Sequence, residues 1–174
     1  MVNARSSPLW RLFVAVWPDA PVRDALAAWQ AAWTWPPGAA LVPSERLHLT
    51  LHFLGGVAPE QLAALTERLR VPFEAFELHF GRVELWPGGM AVVRPEHTPP
   101  ALLGLHGRLA AALAALNRPV ESRRYKAHVT LARRAIGAKP PAAQPQFSWR
   151  ADAGFVLVRS LPDRAGYEVL ERFS

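Results

Sequence analysis

The sequence predicts an α+β fold, and two observations support this class. Short apolar segments rich in β-forming residues are mixed with three amphipathic helical segments, in an order that lacks the regular alternation of a parallel α/β sheet. Of the 174 residues, 51% are hydrophobic, which is enough to bury the core of one ordinary domain or of two small lobes sharing a core. We therefore expect residues 1–174 to form a single domain.

The first two predicted elements are a strand and a helix. The segment Trp10–Val16 is short, apolar and rich in β-formers, and Pro18 follows it, which indicates a buried strand. Asp19 is then a candidate helix N-cap, because its carboxylate can accept a hydrogen bond from the first turn. Apolar residues recur at helical spacing from Pro21 to Trp33, so this segment is predicted to be an amphipathic helix.

The same order of strand and helix recurs further along the chain. Leu47–Leu54 is predicted to be a strand that ends at Gly55-Gly56, and Pro59 opens a helix with one apolar stripe. Pro87-Gly88-Gly89 marks a hairpin turn between two further strands. The remaining predicted elements are strands at Phe76–Trp86 and Met90–Arg94, a helix at Pro99–Leu116, a strand at Ala127–Arg133, a Pro- and Ala-rich surface loop at Gly137–Gln146, and strands at Gly154–Arg159 and Tyr167–Phe173.

The composition excludes several kinds of chemistry. The chain has no cysteine, which excludes disulfides, thiolate nucleophiles, zinc thiolate sites and Fe–S clusters. Its apolar runs are shorter than the roughly 20 residues needed to cross a bilayer, and the first arginines are not followed by the apolar region of a signal peptide. We therefore expect no membrane contact and a cytoplasmic protein.

The charge of the chain is carried almost entirely by arginine. The net charge is +6 and the chain has only two lysines, Lys126 and Lys139. Guanidinium groups bind phosphate oxygens bidentately and stack on bases, which indicates a nucleic-acid ligand. An Ala-, Arg- and Pro-rich composition is equally typical of a GC-rich genome, so the charge alone does not decide between these interpretations.

Two segments share the pattern His-apolar-Thr-Leu, namely His48-Leu-Thr-Leu51 and His128-Val-Thr-Leu131. Successive side chains of a strand point to opposite faces, so His48 and Thr50 share one face while the leucines anchor the other. The same holds for His128 and Thr130. If the chain folds as two similar lobes, these two polar faces can meet across one cleft.

A cleft of this kind suits phosphoryl chemistry without a metal. In-line displacement at phosphorus needs one group to remove a proton from the attacking oxygen and another to protonate the leaving oxygen. Two imidazoles can do both, because histidine titrates near neutral pH. The threonine hydroxyls can donate hydrogen bonds to the non-bridging oxygens, where negative charge is held in the transition state.

The paired motifs and their flanks resemble the 2H phosphoesterase superfamily, and within it the bacterial and archaeal RNA 2′,3′-cyclic phosphodiesterases, also called 2′-5′ RNA ligases. A single His-x-Thr-Leu motif is a weak signal, whereas two in this order with matching flanks are strong. The similar strings span nearly the whole chain and are Arg11-Leu-Phe-Val-Ala-Val16, Leu47-His-Leu-Thr-Leu-His-Phe-Leu-Gly55, His128-Val-Thr-Leu-Ala-Arg133, Phe155-Val-Leu-Val-Arg-Ser160 and Gly166-Tyr-Glu-Val-Leu170.

This resemblance implies a bilobal α+β fold with pseudo-twofold symmetry, in which two antiparallel sheets line a central cleft and helices lie outside. It implies hydrolysis of an RNA 2′,3′-cyclic phosphate to a 2′-phosphate, with no metal and no nucleotide cofactor. By the family pattern, His48 protonates the leaving 3′ oxygen and His128 activates water. Thr50, Thr130 and Arg133 would hold the phosphate.

Arg133 fits this pattern only under one condition. It has the strand parity of Val129 and Leu131, so an ideal strand would point it away from the cleft. It can reach the phosphate only if the strand ends or bulges before it.

Three further residues are candidate contacts to the base or the RNA, namely Phe53, Tyr125 and Lys126. Phe53 could stack on a nucleobase, although its parity matches two leucines, which favours core packing. Tyr125 precedes the second motif and is a candidate cleft residue. Lys126 belongs to a basic cluster with Arg123 and Arg124, which either attracts RNA phosphates or is an ordinary solvated surface.

The other histidines are not expected to bind a metal. His52 shares the predicted cleft face with His48, but two such positions on a strand lie roughly 13 Å apart, too far to chelate one ion. His79, His97 and His106 belong to no motif, so we expect surface or structural roles for them.

Several functions are compatible with these motifs. The expected partner is RNA with a cyclic phosphate end or a cyclic nucleotide, bound by a monomer. The alternatives are ATP-independent 2′-5′ ligation of RNA, in which an RNA 5′-hydroxyl replaces water, a non-catalytic protein that binds RNA ends, and hydrolysis of other small phosphodiesters. Retention of both histidines and both threonines argues against pure binding, which needs arginine and lysine more than imidazole pairs.

Overall fold

The computed structural model describes residues 8–174, apart from the side chain of Arg164. Within these residues the chain forms nine strands, three α-helices and three short 3-10 helices. The strands are β1 (Trp10–Val16), β2 (Ala40–Leu41), β3 (Leu49–Val57), β4 (Phe76–Trp86), β5 (Met90–Pro95), β6 (Val129–Arg133), β7 (Phe147–Ala151), β8 (Phe155–Ser160) and β9 (Tyr167–Phe173). The α-helices are α1 (Ala20–Ala31), α2 (Leu62–Arg68) and α3 (Pro100–Ala115).

All strand pairs are antiparallel and join in the order β7-β4-β5-β6-β3-β1-β8-β9, with β2 on the free edge of β6. The two central strands, β3 and β6, pair only at Leu49 and Val129. Beyond this pair the strands diverge, so two halves of the sheet flank a cleft. The predicted α+β fold with antiparallel sheets around a cleft is confirmed, and the two halves are continuous through this one pair of residues.

The main hydrophobic core lies between the sheet and the helices. Its members come from the buried faces of the strands and from single stripes of the helices, such as Leu26 of α1, Leu65 of α2 and Leu105 of α3. Asp19 caps α1 as predicted, since its carboxylate accepts a 3.0 Å hydrogen bond from the backbone N–H of Val22. The helices therefore cover one face of the sheet and leave the other for the cleft.

Two features of the sheet differ from the sequence prediction. Gly55-Gly56 does not end β3, because β1 continues to pair with this strand as far as Val57 and accommodates Gly55 at a positive φ of 68°. The short strands β2 and β7 were not predicted. The alternation of Phe147, Trp149 and Ala151 in β7 was available as a signal, but it follows directly on the Pro-rich loop.

Within residues 8–174, no helix combines the length and the apolar character that crossing a bilayer requires.

Candidate active site

The side chains of both His-x-Thr-Leu motifs line one cleft. The cleft has a volume of about 990 Å³, and its walls include His48 and Thr50 from the first motif and His128 and Thr130 from the second. Each histidine comes directly before its strand, at the point where β3 and β6 begin to diverge. The geometry therefore brings two imidazoles and two hydroxyls together from segments far apart in the chain.

Both histidines are held in the same way by the backbone. Nδ1 of His48 lies 2.6 Å from the carbonyl oxygen of Arg46, and Nδ1 of His128 lies 2.8 Å from the carbonyl oxygen of Lys126. A carbonyl only accepts, so Nδ1 carries the proton and donates in each case. In the neutral ring this leaves the lone pair on Nε2, which is the nitrogen available for proton transfer.

The surroundings of His48 are aromatic. Its ring stacks on Trp17 at 4.9 Å between centroids and on Phe13 at 5.0 Å, and Tyr167 meets it edge-on at 5.5 Å. Nε2 of His48 lies 3.1 Å from the hydroxyl oxygen of Thr50. Burial is the largest of the causes that lower the pKa of His48 to about 4, and the nearby charges of His128 and Arg133 contribute to this shift, whereas the hydrogen bond to the Arg46 carbonyl opposes it. His48 is therefore neutral near pH 7 in the free protein.

The surroundings of His128 are more polar. Trp86 packs on its ring at 4.5 Å and a tilt of 59°, and the Glu84 carboxylate accepts hydrogen bonds from both Trp86 and Arg94. Burial lowers the pKa of His128, and the guanidinium of Arg94 lowers it further, whereas Glu84 opposes this shift. His128 thus has a lowered pKa, with two guanidinium groups, those of Arg94 and Arg133, and one carboxylate, that of Glu84, acting on its ring.

Each motif has a β-bulge at the same position, its last residue. Leu51 of β3 has no partner between the pairs Val14–His52 and Ala15–Thr50. Leu131 of β6 has no partner between the pairs Ala91–Ala132 and Val92–Thr130. The extra residue reverses the side-chain parity beyond it. As a result, the first five residues of each strand share one burial pattern, in which the second is half-buried, the third and fourth are buried, and the fifth is exposed.

The bulges decide where the fifth residue of each strand points. Phe53 is 70% exposed and lines the cleft, so the expectation that it packs in the core was wrong. Arg133 also lines the cleft, which meets the condition set by its unfavourable parity. Its positive charge contributes to lowering the pKa of both His48 and His128.

The two remaining candidates for RNA contact also line the cleft. The hydroxyl of Tyr125 donates a 2.9 Å hydrogen bond to the carbonyl oxygen of Thr50, and its ring stacks on His106 at 4.1 Å. Burial raises the pKa of Tyr125, so it stays protonated and able to donate. The side chain of Lys126 is exposed at the rim. Cationic residues dominate this lining, which contains Arg46, Arg123, Arg124, Lys126 and Arg133 beside one carboxylate, Glu121.

His52 is among the residues that line the cleft with His48, as predicted, but it is nearly buried. It is 4% exposed and stacks on His106 at 4.0 Å, with Nε2 2.9 Å from the carbonyl oxygen of His106. Within residues 8–174, no group of three or more His, Asp or Glu side chains is arranged to hold a metal ion.

Sequence reasoning missed the aromatic residues that pack on the two candidate catalytic imidazoles. Trp17, Trp86 and Tyr167 belong to neither motif, and since tryptophan and tyrosine occur in most cores, their presence alone does not indicate an active site. Trp17 lies directly after the first strand, and Trp86 directly before the hairpin turn. Their position at the ends of predicted strands was the only feature of the sequence that could have suggested a place near the active site. Their contacts with the imidazoles depend on the tertiary fold.

Comparisons with known proteins agree with this site. Residues 16–95 match the model of a family described as LigT like phosphoesterase. The RNA 2′,3′-cyclic phosphodiesterase of Escherichia coli is 32% identical over 173 residues, which cover 94% of this chain and 96% of that protein. The RNA 2′,3′-cyclic phosphodiesterase of Thermus thermophilus is 34% identical, covering 94% of this chain and 89% of that protein.

Solved structures show the same fold. The crystal structure of E. coli LigT complexed with 3′-AMP superimposes with a TM-score of 0.82 at 28% sequence identity, covering 96% of this chain and 98% of that one. The fold and the paired motifs thus define a phosphoesterase of the two-histidine class. More particularly, the chain belongs to the LigT-like phosphoesterase family. The predicted family and the predicted class of enzyme are confirmed by these relatives.

Proposed function

We propose that this protein hydrolyses the 2′,3′-cyclic phosphate ends of RNA to 2′-phosphomonoesters by general acid–base catalysis with two histidines. The observation that carries the proposal is the pair of imidazoles in one cleft, each with Nδ1 bound to a backbone carbonyl and Nε2 left for proton transfer. Each is accompanied by a threonine hydroxyl from the same motif. Both motifs come from one chain, so the site is complete in a monomer.

The reaction follows an in-line path. Neutral His128 takes a proton from water through Nε2 while the water oxygen forms a bond to phosphorus. The bond from phosphorus to the 3′ oxygen breaks, and protonated His48 gives the proton on its Nε2 to that oxygen. The products are a 2′-phosphomonoester and a free 3′-hydroxyl, and the proton gained by His128 returns to His48 through solvent.

The acid role of His48 requires it to be protonated when the substrate is bound. In the free protein its pKa is lowered to about 4 by burial. An anion placed beside an imidazole favours the charged ring and raises its pKa. The substrate phosphate therefore supplies the charge that makes His48 an acid. Substrate binding and protonation are then coupled, which restricts the acid form to the occupied site.

Arg133 and the two threonines hold the phosphate. A guanidinium can donate to both non-bridging oxygens of the cyclic phosphate in one plane, and each hydroxyl can donate one further hydrogen bond to one of these oxygens. These donors stabilise the negative charge that develops on the non-bridging oxygens in the transition state. Thr50 is suited to this role because its backbone carbonyl is held by the Tyr125 hydroxyl, which limits movement of the strand at that point.

The RNA-binding part of the proposal rests on the shape and charge of the cleft. Its volume of about 990 Å³ lies at the upper end of the range for small-ligand pockets and leaves room beyond a single phosphate. Phe53 offers an exposed ring for base stacking, and Lys126 offers a cation at the rim for a phosphate of the RNA. The E. coli and Thermus relatives carry the name of an enzyme acting on RNA, and E. coli LigT binds 3′-AMP.

The test is turnover of an RNA with a 2′,3′-cyclic phosphate end, with the position of the product phosphate identified by NMR. We expect a 2′-phosphate and full activity in EDTA. A 3′-phosphate would overturn the proposed direction of opening, and a requirement for added divalent metal would overturn the two-histidine mechanism. Tight binding of the RNA without turnover would show a binding protein instead. Addition of an RNA with a 5′-hydroxyl in the same assay detects ligation.

A further inference from the structure

Two buried polar side chains, those of Gln30 and His52, belong to neither His-x-Thr-Leu motif and take no part in the proposed reaction. Among the described residues, Gln30 and His52 are the two polar side chains that are buried, at 8% and 4% exposure. Buried polar groups cost stability unless they are hydrogen-bonded, so each has a specific bonding partner that makes its presence tolerable. His52 is part of the bulge in β3, and Gln30 reaches the corresponding bulge in β6 from α1.

The side-chain amide of Gln30 closes a small hydrogen-bond network around the bulged residue Leu131. Its Nε2 donates to the carbonyl oxygen of Leu131 at 2.7 Å and to that of Val42 at 2.8 Å. The backbone N–H of Val42 donates to the same Leu131 oxygen at 2.8 Å. The Leu131 carbonyl thus receives two hydrogen bonds, and both protons of the Gln30 amide are used.

This network acts on the residue whose conformation decides where Arg133 points. A bulged residue lacks a partner in the ladder, so the orientation of its peptide group is set by other contacts. Without the bulge, Arg133 would share the parity of Val129 and Leu131 and face the buried side of the sheet. With it, Arg133 lines the cleft, where its charge acts on both histidines.

We propose that Gln30 is a positioning residue that fixes the bulge at Leu131 and thereby aims Arg133 at the substrate phosphate. The proposal rests on the proposed function in one respect, namely that Arg133 binds phosphate. Gln30 itself touches no substrate, since its amide lies on the core side of β6 against the backbone. Its effect on catalysis therefore passes through Arg133.

The first experiment is the change Gln30→Met, which keeps the length and volume of the side chain and removes both donors. We expect kcat/KM for cyclic-phosphate RNA to fall about 10- to 100-fold, the scale expected when a binding group is misplaced by about 1 Å. The matched control is Gln61→Met, since Gln61 is an exposed glutamine that contacts Arg118 away from the cleft, and it should keep wild-type activity.

A double-mutant cycle separates positioning from a general loss of stability. In an Arg133→Met background, Gln30→Met should cause no further loss of kcat/KM, because the group it positions is gone. An equal loss in both backgrounds would overturn the proposal. If Gln30→Met does not fold, the cycle is run with Gln30→Asn, which keeps a buried amide but withdraws it by one carbon. Wild-type activity of either variant would also overturn the proposal.

A binding measurement keeps this test independent of the reaction. The affinity for inorganic phosphate, measured by NMR titration, should fall in both Gln30→Met and Arg133→Met. A loss in Arg133→Met alone would overturn the positioning role, whatever reaction the protein catalyses. If the wild-type protein binds phosphate through Arg133 but does not hydrolyse cyclic phosphate, the proposed function fails while weakened phosphate binding in Gln30→Met still supports the role of Gln30.

Discussion

The two motif segments, residues 48–53 and 128–133, have one backbone design and two different chemical surroundings. In both, a carbonyl two residues earlier holds Nδ1 of the histidine, and a bulge at the fourth position exposes the sixth residue to the cleft. The first segment exposes Phe53 and encloses its histidine with aromatic rings. The second exposes Arg133 and places its histidine beside Glu84 and Arg94.

This difference shows how a duplicated backbone is divided between two tasks. Of the shared features, the control of the tautomer is what proton transfer requires of either histidine, and the bulge is what turns the sixth residue into the cleft. The features that differ are set by single side chains and by the neighbouring strands, β1 for the first segment and β5 for the second. The first half thus presents aromatic rings to the cleft, and the second half presents charged groups.

The largest expected effect is loss of either histidine. His48→Ala and His128→Ala should each lower turnover of the cyclic phosphate by about 100- to 10,000-fold, because a proton-transfer group is removed. Both variants should remain folded by circular dichroism, since both rings lie in the cleft. Normal activity of either variant would refute the two-histidine mechanism.

A substrate with a good leaving group distinguishes the two histidines. A p-nitrophenyl phosphodiester needs little help from a general acid but still needs a general base. His48→Ala should recover much of its lost rate on this substrate, whereas His128→Ala should stay inactive. Recovery of His128→Ala alone would reverse the roles, and recovery of neither would mean that His48 chiefly positions the phosphate.

The second-largest loss of activity is expected from removal of the threonine hydroxyls. Thr50→Ala and Thr130→Ala should each lower kcat about 10- to 1000-fold, the range for removing one hydrogen bond to the transition state. Thr50 contacts Nε2 of His48, whereas the hydroxyl of Thr130 donates to the sulfur of Met90 at 3.6 Å. Serine at either position retains the hydroxyl and serves as the control. If both alanine variants keep full kcat, the phosphate is held by other groups.

Phe53 and Arg133, the exposed last residues of the two motif segments, should recognise different parts of the substrate. Arg133→Met should raise KM about 100-fold for every phosphodiester, because each loses its bidentate partner. Phe53→Leu should raise KM about tenfold for nucleotide substrates and leave the affinity for inorganic phosphate unchanged, since phosphate has no ring to stack on Phe53. Steady-state kinetics on the nucleotide and an NMR titration with phosphate measure this. Equal effects of Phe53→Leu on both would contradict the division between base and charge.

The pH dependence follows from the lowered pKa values of both histidines. The reaction needs one imidazole in the protonated form, which predominates below the pKa of that ring. It needs the other imidazole in the neutral form, which predominates above the pKa of that other ring. Since burial lowers both pKa values below the ordinary 6.5, kcat/KM should fall about tenfold per pH unit above the higher of them.

Arg133→Met should move this fall toward higher pH, because the positive charge of Arg133 contributes to lowering both pKa values. Rates measured from about pH 5 to pH 8 in buffers of constant ionic strength test both statements. A rate that stays level up to pH 8 in the wild-type protein would contradict the pKa shifts.

The smallest loss of activity is expected from removal of the Tyr125 hydroxyl, which holds the backbone of the first motif segment at Thr50. Tyr125→Phe removes the hydrogen bond to the Thr50 carbonyl and keeps the stack on His106. We expect kcat/KM to fall about 2- to 10-fold, in line with the net value of one hydrogen bond. Combined with Thr50→Ala, the variant should add little further loss. Additive losses would show that Tyr125 acts on the substrate directly.

Much of the fold could be predicted because its signals are local. The periodicity of apolar residues located all three α-helices and seven of the nine strands in the described residues. Strand β2 spans two residues, too few for any periodicity, and its existence depends on the edge of β6. The extension of β3 through Gly55-Gly56 likewise depends on pairing with β1.

By itself, the sequence determined the two motifs, their order and therefore the class of chemistry, because side-chain identity and strand parity are local properties. Only the tertiary structure decided that Phe53 is exposed, that Arg133 lines the cleft and that His48 stacks on two aromatic rings. These outcomes follow from the bulges at Leu51 and Leu131 and from contacts such as that of Gln30 with Leu131, 101 residues apart. A bulge is stabilised by neighbours on other strands and helices, so no local pattern in the sequence specifies it.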